Sequence, residues 1–185
     1  MRTQTLTTAT LVIGMLAASP AMTRAQSTPS KPLDDPTIVA IFDAANTWDM
    51  ETGGLGATKG STKAVRDFGA MIRRDHEAVR QQGRDLASTL HVTPTSPGPT
   101  FALYQDHLAA MKTLTMSSGP AFDKAFLEHE VAYHKAVIDA VNTTLLPALH
   151  NEEVKDLVRK VAPAFQAHMI AAQSLLDKQM AAAGE

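Results

Sequence analysis

Four stretches of the chain set apolar residues three and four positions apart, and each stops at proline or glycine. Such a chain buries its hydrophobic surface by packing long amphipathic helices against one another. The first stretch reads as Pro36–Thr58, with Ile38, Ile41, Ala45, Trp48, Thr52 and Leu55 as its stripe. Asp35 is its expected cap, and Pro36 suits the first helical position. Gly53, Gly54 and Gly56 each cost about 1 kcal/mol against alanine in a helix, which favours close approach of a neighbouring helix as their purpose. Gly60 and Ser61 mark a turn, with Ser61 as the expected cap of a second helix to about Leu90. That helix carries Val65, Phe68, Ile72, Val79 and Leu86 on one side and stops at "HVTPTSPGPT". A shorter helix follows near Phe101–Thr115. The third long helix begins at Pro120 and ends near Leu146, before Pro147. Asn151 is the expected cap of the fourth, which runs to about Met180 on a Val154, Val158, Val161, Phe165, Ala172 stripe. Pro163 lies inside that helix and is expected to bend it.

This pattern predicts an all-α, ferritin-like four-helix bundle with a short extra helix in the crossover, occupying residues 36–182. The short turns after the first and third long helices make two antiparallel hairpins, and both turns are expected at one end of the bundle. Residues 26–35 are polar and proline-rich and read as a linker. Residues 1–25 have Arg2, a short apolar stretch and small residues around Ala21 and Ala25, which reads as a cleaved signal peptide. The expected location is therefore the periplasm or the cell exterior. The apolar stretch is well short of the roughly 20 residues a spanning helix needs, so no transmembrane helix is expected in the mature chain. Without cysteine there is no disulfide and no acylated N-terminal cysteine. Seventeen basic and nineteen acidic residues give a net charge of −2 with no basic stripe, which argues against nucleic acid as a partner.

The unusual feature is the set of polar residues that the helical period turns inward. At about 100° per residue, His168 falls well inside the stripe of its helix, Glu130 near the middle of its face, and His134 about 40° away. His76 and Asp75 flank the stripe of the second helix, and Asp49 lies nearer the stripe of the first than Glu51 does. Counted at 1.5 Å per residue, the three histidines span less than about 8 Å along the bundle. Imidazole nitrogens with a carboxylate suit one transition-metal ion, zinc or copper before others. The competing reading is a metal-free network in which inward histidines and acids satisfy one another. His91, His107 and His150 read as solvated, and His129 as a flanking residue that is not a ligand. A di-iron centre needs Glu-x-x-His pairs; Glu130 and His134 are four apart, and Arg73 and Phe165 precede His76 and His168 by three. No glycine-rich phosphate loop marks an organic cofactor, and no catalytic residue is assigned. The scattered methionines read as core filling.

The segments "AANTWDMETGGLGATKG", "VRDFGAMIRRDHEAVRQQGRDLA", "GPAFDKAFLEHEVAYHKAVIDAV" and "VAPAFQAHMIAAQ" together resemble the exported bacterial family termed domain of unknown function 4142, over about residues 36–178. The resemblance implies a ferritin-like fold and no assigned activity. The family pattern has an acid late in the first helix, Asp-His in the second and one His in each of the third and fourth. These fall here on Asp49 or Glu51, on Asp75 and His76, on His134 and on His168. The family's usual Glu aligns with Asp49. Asp75 and Glu130 are then the acids that orient imidazoles by hydrogen bonds. The expected function is a periplasmic metal-binding protein with a stress or envelope role; the alternatives are a metal-free structural or partner-binding bundle and a metal-dependent enzyme.

Overall fold

The computed structural model describes residues 33–96, 98 and 102–183. The signal-peptide reading and most of the linker fall outside the described residues. The described residues form α1 (Asp35–Lys59), α2 (Lys63–Thr89), α3 (Ala102–Met116), α4 (Gly119–Ala140), a π-helical turn (Val141–Leu145), the short α5 (Leu146–Ala148) and α6 (Glu152–Ala183). The architecture is an all-α four-helix bundle of α1, α2, α4 and α6, with α3 as the extra helix of the crossover. No helix among the described residues is long and apolar enough to cross a membrane.

Residue pairs give the topology. Asp43 bonds Arg84, Asn46 bonds His76, and Gly53 packs on Gly69 and Ile72, so α1 and α2 run antiparallel. Gln179 bonds the Pro120 carbonyl while His134 faces His168, so α4 and α6 also run antiparallel. The two short turns lie at opposite ends, which corrects the expectation that they share one. Asp123, near the start of α4, bonds the turn after α1, whereas Asp35, at the start of α1, bonds the turn after α5. The crossover through α3 returns the chain along the bundle before α4 begins, so α2 and α4 are parallel, as in ferritin-like bundles.

The caps also shift by one residue. The Asp34 carboxylate, in place of Asp35, accepts from the Thr37 amide at 3.0 Å. Thr62, in place of Ser61, caps α2 by accepting from the Val65 amide at 3.2 Å. Asp35 is thereby free to accept the amides of His150 and Asn151, both at 2.8 Å. Asn151 caps α6 as expected, accepting from Val154 at 3.0 Å. Pro163 lies inside α6 without ending it. At the other end, buried Asp123 accepts from the Ser61 amide and hydroxyl, both at 2.7 Å, and from the Thr62 amide at 3.2 Å. One carboxylate thus ties each short turn to the opposite hairpin. Losing it leaves donors without acceptors, so Asp123→Ala is expected to cost about 2–4 kcal/mol, read as a lower urea midpoint with unchanged helicity.

The apolar stripes pack as the periodicity demands. Val65, Phe68, Ile72, Phe122, Phe126, Leu127 and Ala172 fill one half of the bundle. Ile38, Val39, Ala87, Val141, Leu149, Val154 and Val158 fill the other. Between these halves buried polar residues lie beside a small apolar cluster of Val79, Val161 and Phe165.

Candidate metal centre

Asp49 stands ten residues before the end of α1 (Asp49 to Lys59), and His76 thirteen after the start of α2 (Lys63 to His76). His134 is fifteen residues into α4 (Gly119 to His134), and His168 fifteen before the end of α6 (His168 to Ala183). All four sit near the middle of their helices, so a count from either end brings them to one level. Each is at most 5% exposed. The ring centroids of His76, His134 and His168 lie 5.5, 5.2 and 5.3 Å apart, an almost equilateral triangle. One ring nitrogen from each lies within 4.8 Å of the others. Asp49, Glu130 and His134 form a second, overlapping group at the same spacing.

Outer hydrogen bonds fix which nitrogen of each ring faces inward. Asn46 uses its amide NH2 on the Phe42 carbonyl at 2.7 Å, so its oxygen accepts from His76 Nδ1–H at 2.9 Å. His134 Nδ1–H donates to the Glu130 carbonyl at 2.9 Å. His168 Nε2–H donates to Asp75 Oδ2 at 3.2 Å. The lone pairs of His76 Nε2, His134 Nε2 and His168 Nδ1 therefore point into the cluster. Imidazoles held this way by their other nitrogen are characteristic metal ligands.

The inward atoms of the three imidazoles and Asp49 are all acceptors. His134 Nε2 lies 3.4 Å from His76 Nε2 and 3.3 Å from Asp49 Oδ2. Asp49 Oδ2 is 2.8 Å from His76 Nε2 and is buried without a hydrogen-bond partner. His168 Nδ1 is likewise buried without a partner. Tetrahedral ligands at 2.0–2.1 Å from zinc stand about 3.3 Å from one another, close to two of these separations. Burying three lone pairs and an anionic oxygen together is costly unless a cation, either a proton or a metal ion, sits among them.

The remaining polar groups grade the charge. Burial alone would raise the Asp49 carboxyl, but His76 and His134 outweigh it and hold it well below the usual carboxylate range. Burial and the Asp49 charge push Glu130 well above its usual value, so it stays protonated. The Thr52 hydroxyl lies 3.1 Å from Glu130 Oε1 and 3.3 Å from Asp49 Oδ1, bridging the two acids. Burial lowers His134, and burial with its two neighbouring imidazoles lowers His168 to about 4. Phe165 stacks on His76 at 5.3 Å and closes one side.

The sign of the pH dependence follows. Between about 4.5 and 6.5 the unfolded chain protonates its histidines, while folded His134 and His168, and half-buried His129, lowered chiefly by burial, resist protonation. Glu130 opposes them, because there it holds a proton that the unfolded chain releases. Three groups against one leave the unfolded state binding more protons, so stability rises with pH through this window. Metal-free protein is expected to have a lower urea midpoint at pH 5 than at pH 7. Glu130→Gln, by removing the opposing acid, is expected to steepen the fall.

The structure brings together Asp49, His76, His134 and His168, with Asp75 bonding one imidazole from outside. Glu130, whose carboxyl was expected to orient an imidazole, does so through its backbone carbonyl and places the carboxyl beside Asp49 instead. Glu51 is not in the cluster: it bonds His107 Nε2 at 2.9 Å and is half exposed. His107 is itself 5% exposed and stacks on Trp48, which corrects the expectation that it is solvated; it lies on α3 and is buried where α3 packs on α1. His91 and His150 are exposed as expected. Asn46, Thr52 and Phe165 were not read as site residues. The signal for the first two was the row Asn46, Asp49, Thr52, which repeats a polar residue every third position toward the core.

The sequence model of the family described as domain of unknown function 4142 matches residues 18–175, and the chain belongs to that family. No curated protein and no solved structure matches the chain.

Proposed function

From that membership and from the convergence of its imidazoles, we propose that this chain is an exported, periplasmic protein that holds one transition-metal ion inside its bundle. His76, His134, His168 and Asp49 are the ligands, one from each long helix. Zinc or copper suits this nitrogen-rich set, and the reading includes a stress or envelope role. The observation that carries it is the inward set of lone pairs around Asp49 Oδ2, buried with no hydrogen-bond donor. A metal ion bound there would act as a Lewis acid and clamp four helices at mid-height. The chain's own residues fix the imidazole tautomers and keep Asp49 ionised beside a neutral Glu130.

The 2.8 Å approach of His76 to Asp49 supports a second reading, in which one shared proton replaces the ion and the network is structural. Elemental analysis separates the two. Protein purified without a histidine tag from its own periplasm, or incubated with zinc or copper, is expected to hold one ion per chain. No stoichiometric metal in either preparation sinks the metal reading. On the proton reading, His76→Ala lowers stability without altering metal content. Export is read from the N-terminus of the periplasmic protein, expected after Ala21 or Ala25.

A further inference from the structure

A pocket of about 320 Å³ leads from the surface to the imidazoles. Its rim carries the exposed residues Asp106, Ala136 and Thr144, its walls are mostly apolar, and its floor is His76, His134 and Asn46. The π-helical turn supplies Val141, Thr144 and Leu145 to its lining. Such turns are rare and occur frequently at functional sites. The pocket therefore joins three features: apolar walls, imidazole and amide groups at the inner end, and an irregular helical turn at the mouth. Ligand sites commonly combine apolar lining with a few convergent polar groups. A larger cavity of about 660 Å³ lies between α1, α2 and the crossover and does not reach the imidazoles.

We propose that this pocket binds a medium-chain carboxylate that enters head first, its head at His76 and His134 and its alkyl chain along the apolar walls. The proposal rests on the metal reading above. At about 30 Å³ per non-hydrogen atom, the volume holds roughly ten atoms, the size of octanoate. Orientation follows from charge. A divalent ion with ionised Asp49 and neutral imidazoles is a net cation, which attracts a carboxylate at the floor. Asp106 at the rim repels one there.

Calorimetric titration of octanoate, 1-octanol and acetate into zinc-loaded and EDTA-treated protein tests this. Octanoate is expected to bind the zinc-loaded chain one to one. It should bind there at least about tenfold more tightly than 1-octanol or acetate does, and at least about tenfold more tightly than to zinc-free protein. Ala140→Phe fills the pocket from its wall and is expected to keep zinc while losing at least about tenfold in octanoate affinity. If circular dichroism shows that variant unfolded, Ala136→Phe at the exposed rim replaces it. Equal octanoate binding with and without zinc, equal binding of 1-octanol, unchanged binding in a zinc-loaded filling variant, or no binding to a chain that holds one zinc each overturns the proposal. A chain that takes up no zinc removes the metal reading and this one with it, and the zinc count tells the two failures apart.

Discussion

Replacing His134 by alanine is expected to abolish stoichiometric metal binding, weakening zinc by more than the 10–100-fold typical of losing an outer-sphere partner. His134 is the hub of the cluster. Its Nε2 is within 3.4 Å of both His76 Nε2 and Asp49 Oδ2, and its ring also meets His168 edge-on at 5.3 Å. Its removal leaves His76, His168 and Asp49 around a void. The decisive reading is the difference between melting points with and without zinc, since alanine leaves a cavity that lowers stability by itself. A ligand at about 1,000 times its dissociation constant stabilises by about 4.1 kcal/mol, which the native chain should show and the variant should not. Asp75→Asn isolates a milder step. It keeps the shape of the side chain but removes the charge that accepts His168 Nε2–H, so a 10–100-fold loss is expected with no cavity formed. An equal zinc-dependent rise in melting point for His134→Ala and native protein would show that zinc binds elsewhere.

How much of this was legible in the sequence depends on which physical rule governed each residue. The helices were legible because Pro36, Gly60, Pro120 and Asn151 punctuate a strong 3.6-residue period, and Val154, Val158, Val161, Phe165 and Ala172 are all buried as that period requires. The direction of the hairpins was legible from turn length, but the relative placement of the hairpins was not. It is decided by Asp123 and Asp35, long-range caps separated from their partners by 62 and 115 residues. That error left the site almost unmoved, because ligands at mid-helix share a level from either end. His107 was misread for a related reason: it lies on α3, whose packing on α1 buries it, and a short connector helix carries too little period to show which face is inward. Glu51 followed His107 out of the cluster. Asn46 escaped notice because an asparagine on a helix more often bonds solvent than an imidazole across the core. Its role exists only once α2 brings His76 within 2.9 Å.

The closeness of α1 and α2 that makes this contact rests on glycine, and Gly69→Ala tests it. A β-carbon at Gly69 would meet the Ala57 amide nitrogen, with the Gly56 carbonyl carbon at 2.6 Å and the Gly53 oxygen at 2.7 Å. All three are backbone atoms of α1, so the helix must shift as a body. Overpacking of a core costs about 1–3 kcal/mol. With no flexible side chain to yield, Gly69→Ala should reach or exceed the upper end, a fall in melting point of roughly 6–12 °C at about 2–4 °C per kcal/mol. Gly54→Ala is the control. Only Arg73 Cδ lies near its added carbon, at 3.9 Å, so helix propensity should stabilise the protein by up to about 1 kcal/mol. The two substitutions make the same chemical change on facing helices and are expected to act in opposite directions. The metal site adds a second readout. Asp49 lies one turn before Gly53, and His76 lies two turns after Gly69. Spreading the helices at their crossing would therefore separate Asp49 from His76, so Gly69→Ala is expected to weaken zinc while Gly54→Ala leaves it unchanged. If both variants lost stability equally, helix approach through Gly69 would not be what sets the spacing of the site.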